Sequence, residues 1–212
     1  MRLEIWRVLF SSYLMTFCAS FFASIFGHFW VRFWCHVGGL LGAQIGHFGH
    51  HFFDVLIVTG APIETLPFKD VNYWDELNEI VTWSKSNVFR RLGICWGSQV
   101  FLKNFYNVEK HILKNKLFGV YDHQLLENND RLLQGFTNRF PMPVSRFTET
   151  RRQDLIDEDL EVLAESTLSG VGMVRSRSTK DLYILNHLEY DAETLKDEYL
   201  SLIHISEPTR PY

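Results

Sequence analysis

The sequence predicts an α/β fold, a mostly parallel sheet flanked by helices. Three stretches carry that expectation. Phe53-Asp-Val-Leu-Ile-Val58 is a short, apolar, β-branched run suited to a strand buried on both faces. Trp74, Leu77, Ile80, Val81 and Ser84 then recur at helical spacing. Arg91-Leu-Gly-Ile-Cys-Trp-Gly-Ser-Gln-Val100 reads as a strand end, a sharp Gly-x-Cys-x-Gly turn and a helix start. Strand, crossover helix, strand and helix make a parallel βαβ unit.

Segment 1–52 is a different kind of sequence from the rest. It holds nine of the 18 Phe but only four charged side chains, Arg2, Glu4, Arg7 and Arg32. Val8 to Val31 is uncharged and long enough to span a membrane, yet it has neither a helical period nor strict alternation. An upstream frame error explains the abrupt change at Phe53 best, and a membrane anchor second. His36, His47, His50 and His51 follow in Gly-rich text without a carboxylate, so no metal site is expected. A formal charge of −4 offers nothing to a nucleic acid. Cys18, Cys35 and Cys95 lack CxxC spacing, which excludes a disulfide framework and fits a reducing compartment.

From Phe53 onward each element has a local reason. Thr59-Gly-Ala-Pro62 ends the first strand at the sheet edge where open α/β folds bind ligands. Asp75 and Glu76 open the helix and Lys85 closes it, as its dipole favours. A second strand, near Phe89 to Ile94, delivers Cys95 beside Gly60 and Ala61. Gly93 and Gly97 lack a Cβ, so the chain can turn tightly around the thiol. The sulfur then stands over the free N–H groups of a helix start, which favour its thiolate. The Trp96 N–H is placed to bind an oxyanion. Asp181-Leu-Tyr-Ile-Leu185 is a further strand, ending in Asn186-His-Leu-Glu-Tyr190. At i and i+2, His187 and Glu189 share one face of an extended backbone, as a base for Cys95 and the group that orients it. His111 and His123 sit in polar, loop-like text and are less well placed.

With Cys95, His187 and Glu189 as a candidate triad, the chain resembles the homoserine O-acyltransferase family of methionine biosynthesis. Matching text includes Phe53-Asp-Val-Leu-Ile-Val-Thr-Gly-Ala-Pro-Ile-Glu64, Val71-Asn-Tyr-Trp-Asp-Glu-Leu77 and Ile94-Cys-Trp-Gly-Ser-Gln99. Lys116-Leu-Phe-Gly-Val120, His187-Leu-Glu-Tyr-Asp191 and Thr194-Leu-Lys-Asp-Glu-Tyr199 extend it. The resemblance implies a class I glutamine-amidotransferase-like (flavodoxin-like) architecture, truncated at both ends, and a cytoplasmic enzyme. It implies L-homoserine and acetyl-CoA as substrates, with no cofactor and a ping-pong acyl-Cys95 route. A homodimer is one open outcome for assembly. Lys116 and Ser145 match positions that hold substrate, although composition alone reads them as a surface lysine and a turn residue. Glu64 matches the position that separates acetyl from succinyl users. Its charge would oppose succinyl's own carboxylate.

The text departs from the family in places. His-Leu-Glu replaces His-Pro-Glu, Ser201 stands where the family has a carboxylate-binding arginine, and segment 1–52 lacks the family's opening structure. Leu200-Ser-Leu-Ile-His-Ile-Ser-Glu-Pro-Thr-Arg210 resembles a translated sequencing-library adapter. The expected organisation is therefore an atypical segment 1–52, an acyltransferase α/β domain 53–199 and an adapter-derived tail 200–212. The rivals are a homoserine O-succinyltransferase, a class I glutamine amidotransferase sharing the elbow and His-x-Glu pair, and a membrane-tethered binding module resting on Val8 to Val31.

Overall fold

A computed structural model describes residues 53–126 and 131–206. The atypical segment 1–52, its histidines and the end of the tail lie outside the described residues. Strands β1 (Phe53–Val58), β2 (Val88–Ile94), β3 (His111–Leu125), β4 (Arg139–Glu149), β5 (Leu160–Ser166), β6 (Gly170–Ser176) and β7 (Leu182–Ile184) form one sheet. Helices α1 (Trp74–Asn87), α2 (Trp96–Tyr106) and α3 (Ala192–Ser206) accompany it. The sheet order is β1-β2-β7-β6-β5-β3-β4.

The α/β class and the βαβ unit are as the sequence predicts, but the parallel pairing is confined to β1–β2 and β2–β7. The β3–β4, β3–β5, β5–β6 and β6–β7 pairs are antiparallel, so the sheet is mixed rather than mostly parallel. Connection length explains the split. A parallel pair needs a crossover, which α1 supplies between β1 and β2, whereas β5, β6 and β7 follow one another through short turns that can only reverse the chain.

Side chains alternate across this sheet and divide the core in two. Val174 and Tyr183 join Leu56, Val58, Leu77, Val81, Val100 and Phe101 under α1 and α2. Their neighbours Met173 and Ile184 point the other way, onto Met142, Leu163 and Leu125. The register of β2 on β7 is tied by a buried ion pair. Arg91 Nε donates to Asp181 Oδ2 at 2.7 Å, and the Arg91 amide donates to Oδ1 at 2.8 Å. The remaining guanidinium donors are not stranded, because Arg91 Nη1 donates to the Ser84 carbonyl at 2.9 Å.

Two glycines let α2 start where it does. A Cβ on Gly97 would lie 2.0 Å from the Val58 carbonyl oxygen, and one on Gly93 would lie 2.6 Å from Ser98 Cα. Both obstacles are backbone atoms of the sheet edge and the helix start, so neither can swing aside. Gly97→Ala should therefore destabilise the fold by about 3 kcal/mol, read as a lowered urea midpoint with an unchanged m-value.

Candidate active site

The carboxyl ends of the parallel strands converge on one cavity of about 520 Å3, lined by Gly60, Glu64, Cys95, Lys116, Ser145 and His187 among others. Cys95 is the residue at the elbow, with φ 52° and ψ −119°. A non-glycine residue rarely adopts that conformation, and it persists only where its surroundings hold it. They do so through one acceptor. The Ile184 carbonyl at the end of β7 receives the Cys95 N–H at 2.7 Å and the Ser98 hydroxyl at 2.7 Å. The Cys95 carbonyl in turn accepts the Ser98 N–H at 3.0 Å, which begins α2.

His187 stands opposite the sulfur. A methyl group imagined on Gly60 would lie 3.7 Å from Cys95 Sγ and 3.8 Å from His187 Cε1, so both groups face one point. His187 Nδ1 donates to Glu189 Oε1 at 2.7 Å, which leaves Nε2 for Cys95. Burial by itself would push the imidazole down. The charge and hydrogen bond of Cys95, with the bond to Glu189, outweigh it and hold His187 well above its ordinary 6.5. The pair arises differently from the expected extended strand. β7 ends at Ile184, and residues 187–190 form a turn closed by the Tyr190 N–H on the His187 carbonyl at 3.2 Å. The turn, not strand alternation, brings His187 and Glu189 together. The His187 N–H also donates to the Pro143 carbonyl at 2.9 Å, docking the turn on β4.

Trp96 is the first residue of α2, so its N–H is one of those a helix cannot satisfy internally. Its indole is fully buried beside Phe68 and Tyr73. Glu64 reaches the cavity from the loop after β1. Its Oε1 accepts the Phe147 N–H at 2.9 Å and its Oε2 the Thr148 hydroxyl at 3.1 Å. Lys110 holds the same loop by donating to the Glu64 and Leu66 carbonyls. Burial pushes that ammonium down to about 8 against the pull of Glu64 and Glu109.

Lys116 lies on β3 and Ser145 on β4, where the residue paired with Ser145 is Phe118. Both side chains converge on Glu198 of α3: Lys116 Nζ lies 3.0 Å from its Oε1, and the Ser145 hydroxyl donates to the same atom. Burial would raise the Glu198 carboxyl, but Ser145 and Lys116 hold it below 4.5. Sequence reading missed Glu198, because within Lys-Asp-Glu on a helix it looks like part of a solvated charge run. It also missed Tyr190, which lies against His187. The α3 helix runs from Ala192 through Ser206, and Ser201 on it is exposed.

The other sequence candidates lie elsewhere. His111 pairs with Asp154 at 2.6 Å near the surface. His123 is fully buried and donates from Nδ1 to the Tyr121 carbonyl at 2.8 Å, and burial pushes its pKa down. Among the described residues, no three His, Cys, Asp or Glu side chains converge as metal ligands, and no helix is long and apolar enough to cross a membrane.

A cysteine on a strained strand–helix turn faces a His–Glu pair at the adjacent parallel strand's exit, within an α/β fold that resembles the class I glutamine amidotransferases. Solved structures agree on the fold. A glutamine amidotransferase from Thermotoga maritima superposes with a TM-score of 0.56 at 17% identity, covering 83% of this chain and 74% of that one. The glutaminase domain of Trypanosoma brucei CTPS gives 0.51 at 15% identity, covering 75% and 74%. Within that class, a family model described as "HTS: Homoserine O-succinyltransferase" matches residues 43–206, and the chain belongs to this family.

Its relatives include homoserine O-acetyltransferases. That of Rhizobium leguminosarum bv. trifolii is 44% identical over 162 residues, 76% of this chain and 53% of the relative. That of Desulfitobacterium hafniense is 47% identical over 148 residues, 69% and 48%. That of Geobacillus kaustophilus is 46% identical over 154 residues, 72% and 51%. The chain spans about half the length of the curated relatives it matches.

The Glu198 cluster predicts a sign for pH dependence. A carboxyl held below its unfolded value contributes stability above about pH 4.5 that is lost as pH falls through the folded value. Between about pH 5 and pH 3, the urea midpoint of the wild-type chain should fall more than that of Glu198→Gln.

Proposed function

We propose that this cavity carries acetyl transfer from acetyl-CoA to the hydroxyl of L-homoserine, giving O-acetylhomoserine for methionine biosynthesis. The observation that carries the reading is the meeting of Cys95 Sγ and the His187 ring edge at one point beside Gly60. The Lys116–Ser145–Glu198 cluster in the same cavity is the second support.

In the first half-reaction Cys95 attacks the thioester carbonyl, and its proton resides on His187 Nε2. Charge gathers on the carbonyl oxygen, which the Trp96 N–H at the helix start is suited to receive. The carbon–sulfur bond to CoA breaks, CoA leaves with the proton from His187, and Cys95 keeps the acetyl group. In the second half, His187 Nε2 takes the proton of the homoserine hydroxyl as its oxygen attacks the acetyl carbon. The Cys95–acetyl bond breaks, the ester leaves and the proton returns to the sulfur. Glu189 accepts from Nδ1 throughout, which keeps Nε2 as the proton-carrying atom and stabilises the imidazolium.

Homoserine is a zwitterion at neutral pH, and the cluster offers both complements. The Lys116 ammonium suits its carboxylate. Glu198 Oε2 is buried with no hydrogen-bond partner among the described residues, and suits its ammonium. Glu64 argues for the acetyl donor. Its carboxylate is held by the Phe147 amide and Thr148 at the cavity wall, so a donor ending in a second carboxylate meets like charge. The names of the acetyltransferase relatives support the same choice.

Acetyl-CoA alone should leave one acetyl group on the Cys95 peptide by mass spectrometry, and homoserine should remove it. Cys95→Ala should lower transfer by about 10³-fold or more. An unlabelled sulfur, or glutaminase activity in place of transfer, would refute the reading. Glu64→Gly should move the kcat/KM ratio toward succinyl-CoA by roughly ten- to a hundred-fold. An unmoved ratio would remove Glu64 from donor choice.

A further inference from the structure

The turn that presents His187 folds the next aromatic residue back onto it. The Tyr190 ring stacks on the imidazole with centroids 4.2 Å apart and planes 24° from parallel. Cys95 and Glu189 reach His187 through its nitrogens, in the ring plane, and Gly60 lies at its Cε1 edge. Tyr190 instead covers a face. An aromatic face over a protonated imidazole is attractive, and it blocks rotation of the ring out of line with the sulfur.

Tyr190 also lines the cavity that holds Lys116, Ser145 and Glu198. Burial first, and then the charge of Glu198, push the Tyr190 hydroxyl up from its ordinary 10.0. Tyr190 therefore covers the proton-carrying residue with its ring and lines the same cavity as Glu198. The charged and titratable groups around His187 are Cys95 at the elbow before α2 and Glu189 and Tyr190 from its own turn, with Glu198 of α3 and, beside Cys95, Arg146 of β4 one step further away.

We propose that Tyr190 is a positioning residue that holds the His187 imidazole in line with Cys95 by stacking on its face. The stack stands on geometry alone.

Two variants of the full chain test the stack. Tyr190→Phe keeps the stack and removes the hydroxyl, whereas Tyr190→Leu removes both. Alkylation of Cys95 by iodoacetamide, followed across pH without substrate, reads the stack. The Phe variant should reproduce the wild-type profile. The Leu variant should move it to higher pH and slow alkylation near neutrality by about tenfold, because the imidazolium loses the face that favours it. A Leu profile on top of the wild type overturns the stacking role, and so does a Phe profile shifted as far as Leu.

If the Leu variant does not fold, Tyr190→Trp substitutes for it. A larger stacking face should then move the alkylation profile to lower pH, and an unmoved profile overturns the stack. Absence of acetyl-Cys95 in the wild type would sink the acyl-transfer reading while leaving the alkylation result to judge the stack.

Discussion

The contact between Gly97 and the Val58 carbonyl is the constraint on which the site depends. It brings the start of α2 against the end of β1 so closely that a single carbon would collide at 2.0 Å. With β1 on one side and β7 on the other, the turn between β2 and α2 has little room. Cys95 is driven to φ 52°, and its amide finds the Ile184 carbonyl rather than solvent. The strain is local and the restraint is distributed over three strands, which is how a sparsely populated backbone conformation survives in a folded protein. The sulfur is thereby held at the rim of the sheet, where a side chain in an ordinary helix start would lie along the surface.

The electrostatics follow from that placement. His187 is almost wholly buried, a position that disfavours a charged imidazole, yet its partners reverse the outcome. Cys95 and Glu189 act on opposite nitrogens, so the imidazolium is bonded at both ends and little is left for solvent to do. A short distance away the arrangement is mirrored with opposite sign. Glu198 is a carboxylate kept ionised by Lys116 and Ser145. One cavity is thus lined by ionic groups of both signs.

The mixed sheet makes both ends possible. The parallel strands β1, β2 and β7 point their carboxyl ends at one rim, which sets Gly60, Cys95 and His187 together. The antiparallel β3–β4 pair delivers Lys116, Ser145 and Thr148 from the far side of the sheet, with a register shift between Ile112 and Leu117. Such an irregularity turns a strand, and Lys116 lies within it on β3. The α3 helix then closes the cavity with Glu198.

The amino-acid sequence alone determined the elements whose cause is local. Phe53–Val58 is continuous apolar text, α1 has a clear helical period, and Gly93 and Gly97 flank Cys95 because nothing larger fits. His187 and Glu189 were legible as a pair, though the reason was a turn rather than a strand, since both geometries place i and i+2 within reach. The antiparallel majority of the sheet was not legible. Strand β3 is fully buried only at His123 and Leu125, so its pattern of Ile112, Lys114, Lys116 and Phe118 resembles loop text. Only the tertiary structure decided that Glu198 belongs to the cavity and that the Tyr190 ring lies on His187. A helical carboxylate and a residue after a turn carry no mark of their partners, because those partners are brought up by strands far away in the chain.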